Sequence, residues 1–368
     1  MNIKSISIIG LGLIGGSIAK AIKNTDFNIS VSAFDKENVL EEAFLEGIID
    51  KKLVNVEKSL DSDLIFLCTP VDISIRIFEF LAPKLKEKQI ITDVCGVKEP
   101  FRKIWDNIKS EGEYFGGHPM TGKEISGYKA SDPLLFENSV YILSDCIKNS
   151  KNSNDFFDLL KSFGCRLIFL SPEIHDEVVA NVSHVPQLVS VSLVNSLIKN
   201  KKNINFVDFA GGGFKDMTRI ASSKFDIWKD VISENKNEIF SALENLINEL
   251  IDVRNLIVAG DGKKLSERFE KSRLIRDAIP KTRKGFLTPL YDLFVFVKDE
   301  PGVVAKISSE LFKMGINIKD IELLKIREGA GGTFRVSFES EKDALIAEKL
   351  MKNIGYHTKF NKEPKLNY

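Results

Sequence analysis

Three polar clusters set in apolar surroundings are the places where this sequence could do chemistry. The first is Gly116-Gly117-His118-Pro119-Met120-Thr121-Gly122-Lys123-Glu124. A histidine between two glycines and a proline is expected on a constrained loop, which can hold an imidazole beside a substrate as an acid or base. The second is Ala180-Asn181-Val182-Ser183-His184-Val185-Pro186-Gln187, inside the most apolar helical stretch of the chain. Three-residue spacing puts Asn181, His184 and Gln187 on one helical face, and Pro186 costs that helix a hydrogen bond. A polar stripe and a proline together in a buried helix break local rules in the way functional sites do. The alternative is a hydrogen-bonded packing histidine. The third is Gly211-Gly212-Gly213-Phe214-Lys215-Asp216-Met217-Thr218-Arg219-Ile220-Ala221. A glycine run precedes a short helix with Lys215 and Arg219 four residues apart and Asp216 between them. Two cations on one face suit a carboxylate-bearing substrate, which Arg can grip with two hydrogen bonds. A solvated surface helix would not explain the triple glycine.

A fourth cluster reads as a cofactor site. The segment Gly10-Leu11-Gly12-Leu13-Ile14-Gly15-Gly16-Ser17 follows an apolar strand-like run and opens a helix-like one. Gly10 permits the tight turn, Gly12 lets the backbone approach a pyrophosphate, and Gly15 lets the helix pack on the sheet. The helix N-terminus, with Leu13 and Ile14 in its first turn, faces the phosphates. Asp35 lies 20 residues beyond Gly15, at the end of the second strand. There its carboxylate can accept from both adenosine ribose hydroxyls and would repel a 2′-phosphate, which favours NAD over NADP. Thr69 and Pro70 follow a later strand, at the carboxyl edge where open α/β sheets bind ligands. Asp93, at the end of another strand, is assigned to the same site.

The elements that must position these residues fall into three segments. In residues 1–171, strand-like runs at 3–9, 29–34, 64–68, 90–93, 140–143 and 166–170 alternate with amphipathic helices at 14–23, 73–85 and 155–163. That order reads as a Rossmann domain, a mostly parallel sheet covered by helices on both faces. Residues 172–283 carry helical spacing only, over 173–198, 225–232, 239–258 and 265–279. The first of these helices is apolar around most of its circumference, so its expected cover is a second subunit of a homodimer. Residues 284–290 read as a linker, and residues 291–368 as a ferredoxin-like β-α-β-β-α-β domain.

Bulk composition narrows the partners. The 368 residues are 43% hydrophobic, and 52 Lys and Arg balance 52 Asp and Glu. This argues against nucleic acid or an anionic membrane as partner and for a small-molecule ligand. No stretch reaches the roughly 18 uninterrupted apolar residues of a membrane helix. Cys68, Cys95, Cys146 and Cys165 lack metal-type spacing, so no metal site and a reduced, cytoplasmic setting are expected.

Taken in order, GLGLIGGS, TDVCGVK, GGHPMTGKE, SHVPQ, GGGFKDMTRIA and Trp228 resemble the prephenate/arogenate dehydrogenase family over nearly the whole chain, with an appended ACT domain. The resemblance implies oxidative decarboxylation of prephenate with NAD. His118 would accept the ring hydroxyl's proton and Arg219 would bind the side-chain carboxylate. Lys123, Glu124, His184, Gln187, Lys215, Asp216 and Trp228 would line or gate the substrate pocket. Two departures stand out. The family often has a serine that bonds the catalytic histidine, and this chain has Gly96 there. Many members have a second histidine where this chain has Gln187, which leaves prephenate or arogenate open as substrate.

The Asp299-Glu300-Pro301-Gly302 loop and the Gly315-Ile316-Asn317 turn resemble the effector site of ACT domains. Asp299, Pro301, Gly302, Val303 and Asn317 would then bind an amino acid, with tyrosine expected as a feedback inhibitor. A domain that only aids dimerisation is the alternative. A β-hydroxyacid dehydrogenase and an amino-acid sensor that reports NAD status are the rival readings of the whole chain.

Overall fold

The computed structural model describes residues 2–123, 125–150, 152–198, 204–278, 290–298, 300–327 and 331–360. The chain forms two compact units, Met1–Gly260 and Asp261–Tyr368.

The first unit opens with β1 (Ser5–Ile9), α1 (Leu13–Lys23), β2 (Ser30–Phe34), α2 (Glu37–Leu45) and β3 (Lys51–Lys52). It continues with β4 (Leu64–Leu67), α3 (Val71–Leu81), β5 (Ile90–Asp93), α4 (Glu99–Trp105) and β6 (Glu113–Tyr114). These strands make one parallel sheet in the order β3-β2-β1-β4-β5-β6, the Rossmann order. All four residues of β4 are buried. Leu64 and Phe66 join one core, while Ile65 and Leu67 join the core on the opposite face. Burial on both faces is why these strands read as continuous apolar runs. The strand order reverses between β1 and β4, which opens a crevice at their carboxyl ends.

Two further apolar runs that the sequence assigns to this sheet form a separate one. The strands β7 (Gly117–Pro119), β8 (Val140–Ser144) and β9 (Arg166–Leu170), with α5 (Ser153–Ser162), build a second sheet in the order β7-β8-β9. In it β7 runs antiparallel to β8, and β9 parallel. Strands β3, β6 and β7 are two or three residues long, too short to leave a period in the sequence.

Next come α6 (Pro172–Val179), a single π turn at Ala180–His184, and α7 (Val185–Ile198). They are followed by α8 (Gly212–Thr218), α9 (Phe225–Glu234) and α10 (Lys236–Ala259). All these helices lie in the same compact unit as the Rossmann sheet. The second unit contains α11 (Gly262–Ala278), β10 (Tyr291–Val297), α12 (Val303–Lys313), β11 (Asp320–Arg327), β12 (Gly331–Phe338), α13 (Glu341–Asn353) and β13 (His357–Phe360). Its sheet is antiparallel, in the order β11-β12-β10-β13. This is the ferredoxin-like pattern expected from the sequence. Most of the expected linker lies outside the described residues.

Two loop glycines have opposite constraints. A Cβ on Gly15 would stand 1.9 Å from the Gly10 carbonyl oxygen, whereas one on Gly12 meets nothing within 4 Å. Gly15→Ala is therefore expected to lower the unfolding free energy by about 2–4 kcal/mol through overpacking. Gly12→Ala should stay within about 0.5 kcal/mol of the parent. Urea denaturation of the two variants checks this; equal midpoints would refute it.

Candidate active site

The two glycines before His118 are required by close packing. A Cβ on Gly116 would lie 2.4 Å from the Ser144 hydroxyl, and one on Gly117 would lie 2.9 Å from the Tyr141 ring and 3.0 Å from the Asp93 carbonyl. Through them the chain steps from β6 of the large sheet to β7 of the small one. His118 is therefore held on a strand, paired with Ile142 of β8, and not on the loop that the sequence suggested.

Behind His118 stands a chain of groups that the sequence reading missed. His118 Nδ1 is 2.9 Å from His175 Nε2, and His175 Nδ1 is 2.6 Å from Asp176 Oδ1. His175 and Asp176 are almost fully buried. The Asp176 carboxylate also accepts from the backbone N–H groups of Lys98 (2.8 Å) and Glu99 (3.0 Å), at the start of α4. Burial and the nearby Lys98 and His184 charges push the His175 imidazole well below the usual histidine range. Burial, then His175, Lys98 and His184, does the same to His118. Both rings are neutral near pH 7.

Asp93 was expected to serve the cofactor, and the structure corrects this. Its carboxylate accepts from Lys98 Nζ (2.5 Å), the Cys95 N–H (2.9 Å) and the Tyr114 hydroxyl (2.7 Å), and it is 0% exposed. Lys98, itself buried, also donates to the Cys95 and Val97 carbonyls. Asp93 thus anchors the loop that leads from β5 to α4, with no accessible oxygen for a ligand. Burial pushes the neighbouring Cys95 thiol up to about 12, which keeps it inert.

The proline in the apolar helix has a structural counterpart. Pro186 has no N–H to offer the preceding turn, and the helix widens there into the π turn Ala180–His184, a device common at functional sites. The extra residue in that turn breaks the expected polar stripe. Asn181 is exposed and donates to the Glu177 carbonyl (2.9 Å), while His184 and Gln187 are buried. His184 Nδ1 lies 3.2 Å from Asn235 Nδ2, which also donates to the Asp176 carbonyl at 2.9 Å. Burial lowers the His184 imidazole to about 4.

These elements enclose a cleft of about 490 Å³. It brings together His118, Lys123, His184, Gln187 and Trp228, with Gly96 between the two histidines. The Gln187 amide donates to the Ile220 carbonyl (3.0 Å). The Trp228 ring meets His184 edge-on, at 6.0 Å between centroids. Lys123 pairs with Asp132 at 3.0 Å.

Three expected residues are not in the cleft. Lys215, Asp216 and Arg219 are exposed, and the turn after α8 presents Ile220 and Ser223 to the cleft instead. Arg219 also falls beyond the end of α8, so the two cations do not share one helix. Glu124 lies outside the described residues. His175, Asp176 and Asn235 gave little local signal, since adjacent helical residues do not ordinarily face one another.

The crevice between β1 and β4 has the features of a nucleotide cradle. Gly10 has φ +96°, and a Cβ there would press on the Cys68 carbonyl at 2.7 Å. Gly12 caps α1 without a side-chain bond, so the first-turn amides around Leu13 and Ile14 remain available to an anion. Asp35 accepts from the Leu11 N–H (2.6 Å) and the Lys36 N–H (2.6 Å), which ties the glycine loop to the end of β2. Thr69 bonds the Ser74 hydroxyl at 2.8 Å, and Pro70 starts α3. The open space at Gly12, the free helix end and the carboxylate at β2 fit a dinucleotide.

In the second unit, a cavity of about 340 Å³ is lined by Gly302 and Val303 of the expected effector site, with Lys298, Leu323 and Phe334. Gly302 has φ +89° at the start of α12. Pro301 and Asn317 are exposed and are not among its lining residues. Asp299 lies outside the described residues.

Comparison with known proteins places these sites in a family context. Residues 18–169 match the family description "Prephenate dehydrogenase, nucleotide-binding domain", and residues 171–271 match "Prephenate dehydrogenase, dimerization domain". Residues 291–355 match "ACT domain". Prephenate dehydrogenase of Bacillus subtilis (strain 168) is 34% identical over 351 residues, which is 94% of this chain and 95% of its own length. Cyclohexadienyl dehydrogenase of Zymomonas mobilis is 31% identical and covers 75% of this chain and 96% of its own. Among solved structures, prephenate dehydrogenase from A. aeolicus in complex with hydroxyphenyl propionate and NAD+ has a TM-score of 0.68 at 30% identity. That match covers 75% of this chain and 98% of the other.

The three histidines around the cleft tie stability to pH. Their folded values lie below the ordinary 6.5, so the unfolded chain binds protons first as pH falls. The stability they contribute is complete above 6.5 and is lost from there toward 4, the His184 value. The urea midpoint should fall across that window. His184→Gln should flatten the slope, removing a pH-dependent term on the order of 2–3 kcal/mol. Equal slopes in parent and variant would contradict the assignment.

Proposed function

The chain belongs to the prephenate dehydrogenase family, and on that premise we propose that it converts prephenate to 4-hydroxyphenylpyruvate with NAD, in tyrosine biosynthesis. The observation that carries this reading is a neutral imidazole, His118, on the paired strand β7 beside an open cleft. When bound in the glycine-loop crevice, NAD supplies the acceptor for the hydride from the substrate's C4. His118 takes the proton of the C4 hydroxyl at Nε2, which assists loss of the hydride. Departure of the ring carboxylate as CO2 leaves an aromatic ring, so the chain's task is mainly orientation and proton transfer. The proton held on His118 can return to the phenolate oxygen. Activity then needs neutral His118, and its depressed pKa extends the active range to acid pH well below 6.5.

A second reading keeps the chemistry and changes the substrate. By the resemblance, Gln187 is expected near the substrate side chain, and its amide can donate or accept. This leaves arogenate, or both substrates, compatible with the cleft. The relative named cyclohexadienyl dehydrogenase supports the same breadth. Lys215, Asp216 and Arg219 are exposed on α8 and the turn after it, so the side-chain carboxylate is not assigned to them within one chain. The family's dimerization domain and the exposed apolar residues Phe240, Leu250 and Ile257 of α10 support a homodimer. Among the described residues no helix is long and apolar enough to cross a membrane. We place the enzyme in the cytoplasm, a reduced setting that fits four cysteines without metal-type spacing.

Reduced-cofactor absorbance, with prephenate and arogenate offered separately and NAD or NADP as acceptor, tests the assignment. Prephenate with NAD is expected to turn over, and His118→Asn should lower kcat by about 10²–10⁴-fold. Turnover of neither substrate by folded, NAD-binding protein would favour an amino-acid sensor instead. Tyrosine is proposed as feedback inhibitor at the Gly302 cavity. Titration calorimetry should register tyrosine binding to the full chain; absence of heat with any aromatic amino acid would leave the ACT domain without that role.

A further inference from the structure

The hydrogen bonds around the cleft determine which nitrogen of each histidine carries a proton. Asp176 accepts two backbone N–H bonds as a carboxylate and has no hydrogen to give. The His175 nitrogen 2.6 Å from it is therefore the protonated one, Nδ1. His175 is neutral, which leaves its Nε2 bare. His118 Nδ1, 2.9 Å from that bare nitrogen, must then donate. In neutral His118 the lone pair is consequently on Nε2.

An independent argument gives His184 the opposite tautomer. The Asp176 carbonyl oxygen can only accept, so the Asn235 side-chain atom 2.9 Å from it is the amide nitrogen. The same NH2 group is 3.2 Å from His184 Nδ1, which must accept. Neutral His184 therefore carries its hydrogen on Nε2. The two Nε2 atoms face one small space. Each lies 3.9 Å from the point a Cβ on Gly96 would occupy, and Gly96 has no side chain to fill it.

We propose that His118 and His184 form a two-point clamp for a single hydroxyl group, which donates to the bare Nε2 of His118 and accepts from the Nε2–H of His184. His175 and Asn235 are positioning residues that set the two tautomers. On the reading of function above, on which this occupant rests, the hydroxyl is the one on the substrate's ring. The His184 N–H then stands where a serine hydroxyl could have stood at Gly96. An oxygen without a hydrogen would satisfy only His184. A ring without oxygen would displace water from the cleft and leave both partners unpaired, which is costly.

The protein has only four histidines, and the fourth, His357, is exposed in the second unit. Nitrogen-15 NMR of the full chain with labelled histidine can therefore read each tautomer directly. The expected result is Nδ1–H for His118 and His175 and Nε2–H for His184. An Nε2–H form of His118 or an Nδ1–H form of His184 would overturn the clamp, whatever the enzyme's substrate. With NAD present, 4-hydroxyphenylpyruvate should move the His118 and His184 signals together, and phenylpyruvate should not. Movement of His118 alone would also overturn it. If neither compound moved any signal while the tautomers stood as assigned, the substrate reading would fail and not the tautomers. In kinetics, His175→Phe should lower kcat about 10- to 100-fold with little change in KM. His175→Gln, whose carbonyl oxygen can accept from His118, should recover most of it. Equal losses in the two variants would mean that His175 only fills space.

Discussion

One buried carboxylate, that of Asp176, joins the Rossmann sheet to the helices that follow it. It accepts the first amides of α4 and the ring N–H of His175. Its own carbonyl accepts from Asn235. A carboxylate out of water is costly unless its oxygens are fully bonded, and here they are bonded by the start of α4 and the neighbouring His175 ring, while the backbone carbonyl of the same residue takes the Asn235 amide. The cost is offset only when all of them are in place. Burial of Asp176 therefore fixes α4, α6 and the α9–α10 junction relative to one another, and His118 takes its orientation from that assembly.

A second buried pair holds the other side of the cleft. Lys98 and Asp93 neutralise each other inside the protein, and the Lys98 ammonium spends its remaining hydrogens on two carbonyls of its own loop. This closes the loop that carries Gly96. A Cβ on Gly117 would touch the Asp93 carbonyl, so β7 is packed directly on the same loop. The His118 imidazole and the space beside it are thus set by one tightly bonded corner, which suits a reaction that needs orientation more than force.

Burial also has a chemical consequence. It weakens His118 as a base, because the charged form loses hydration. It also keeps the ring neutral and ready to accept a proton over a wide pH range. Orientation by a second histidine answers the question posed by Gly96, where a serine hydroxyl is absent.

Features that depend on local spacing were legible in the residues alone. The glycine loop between β1 and α1, the carboxylate Asp35 after β2 and the β-α-β-β-α-β order of the second unit all follow from residues close together in the chain. So did the choice of His118 and His184, because a histidine among glycines and one in an apolar helix are both out of place locally. What the tertiary structure decided involves partners far apart. His118 meets His175 across 57 positions, and Asp176 meets Asn235 across 59 and Lys98 across 78. No local pattern records such contacts. For the same reason Asp93 could pass for a cofactor ligand until Lys98 and Tyr114 were seen to occupy it. Arg219 could pass for a cleft residue until the turn after α8 turned it outward. Spacing predicts which face of an element is polar, but only packing shows what that face meets.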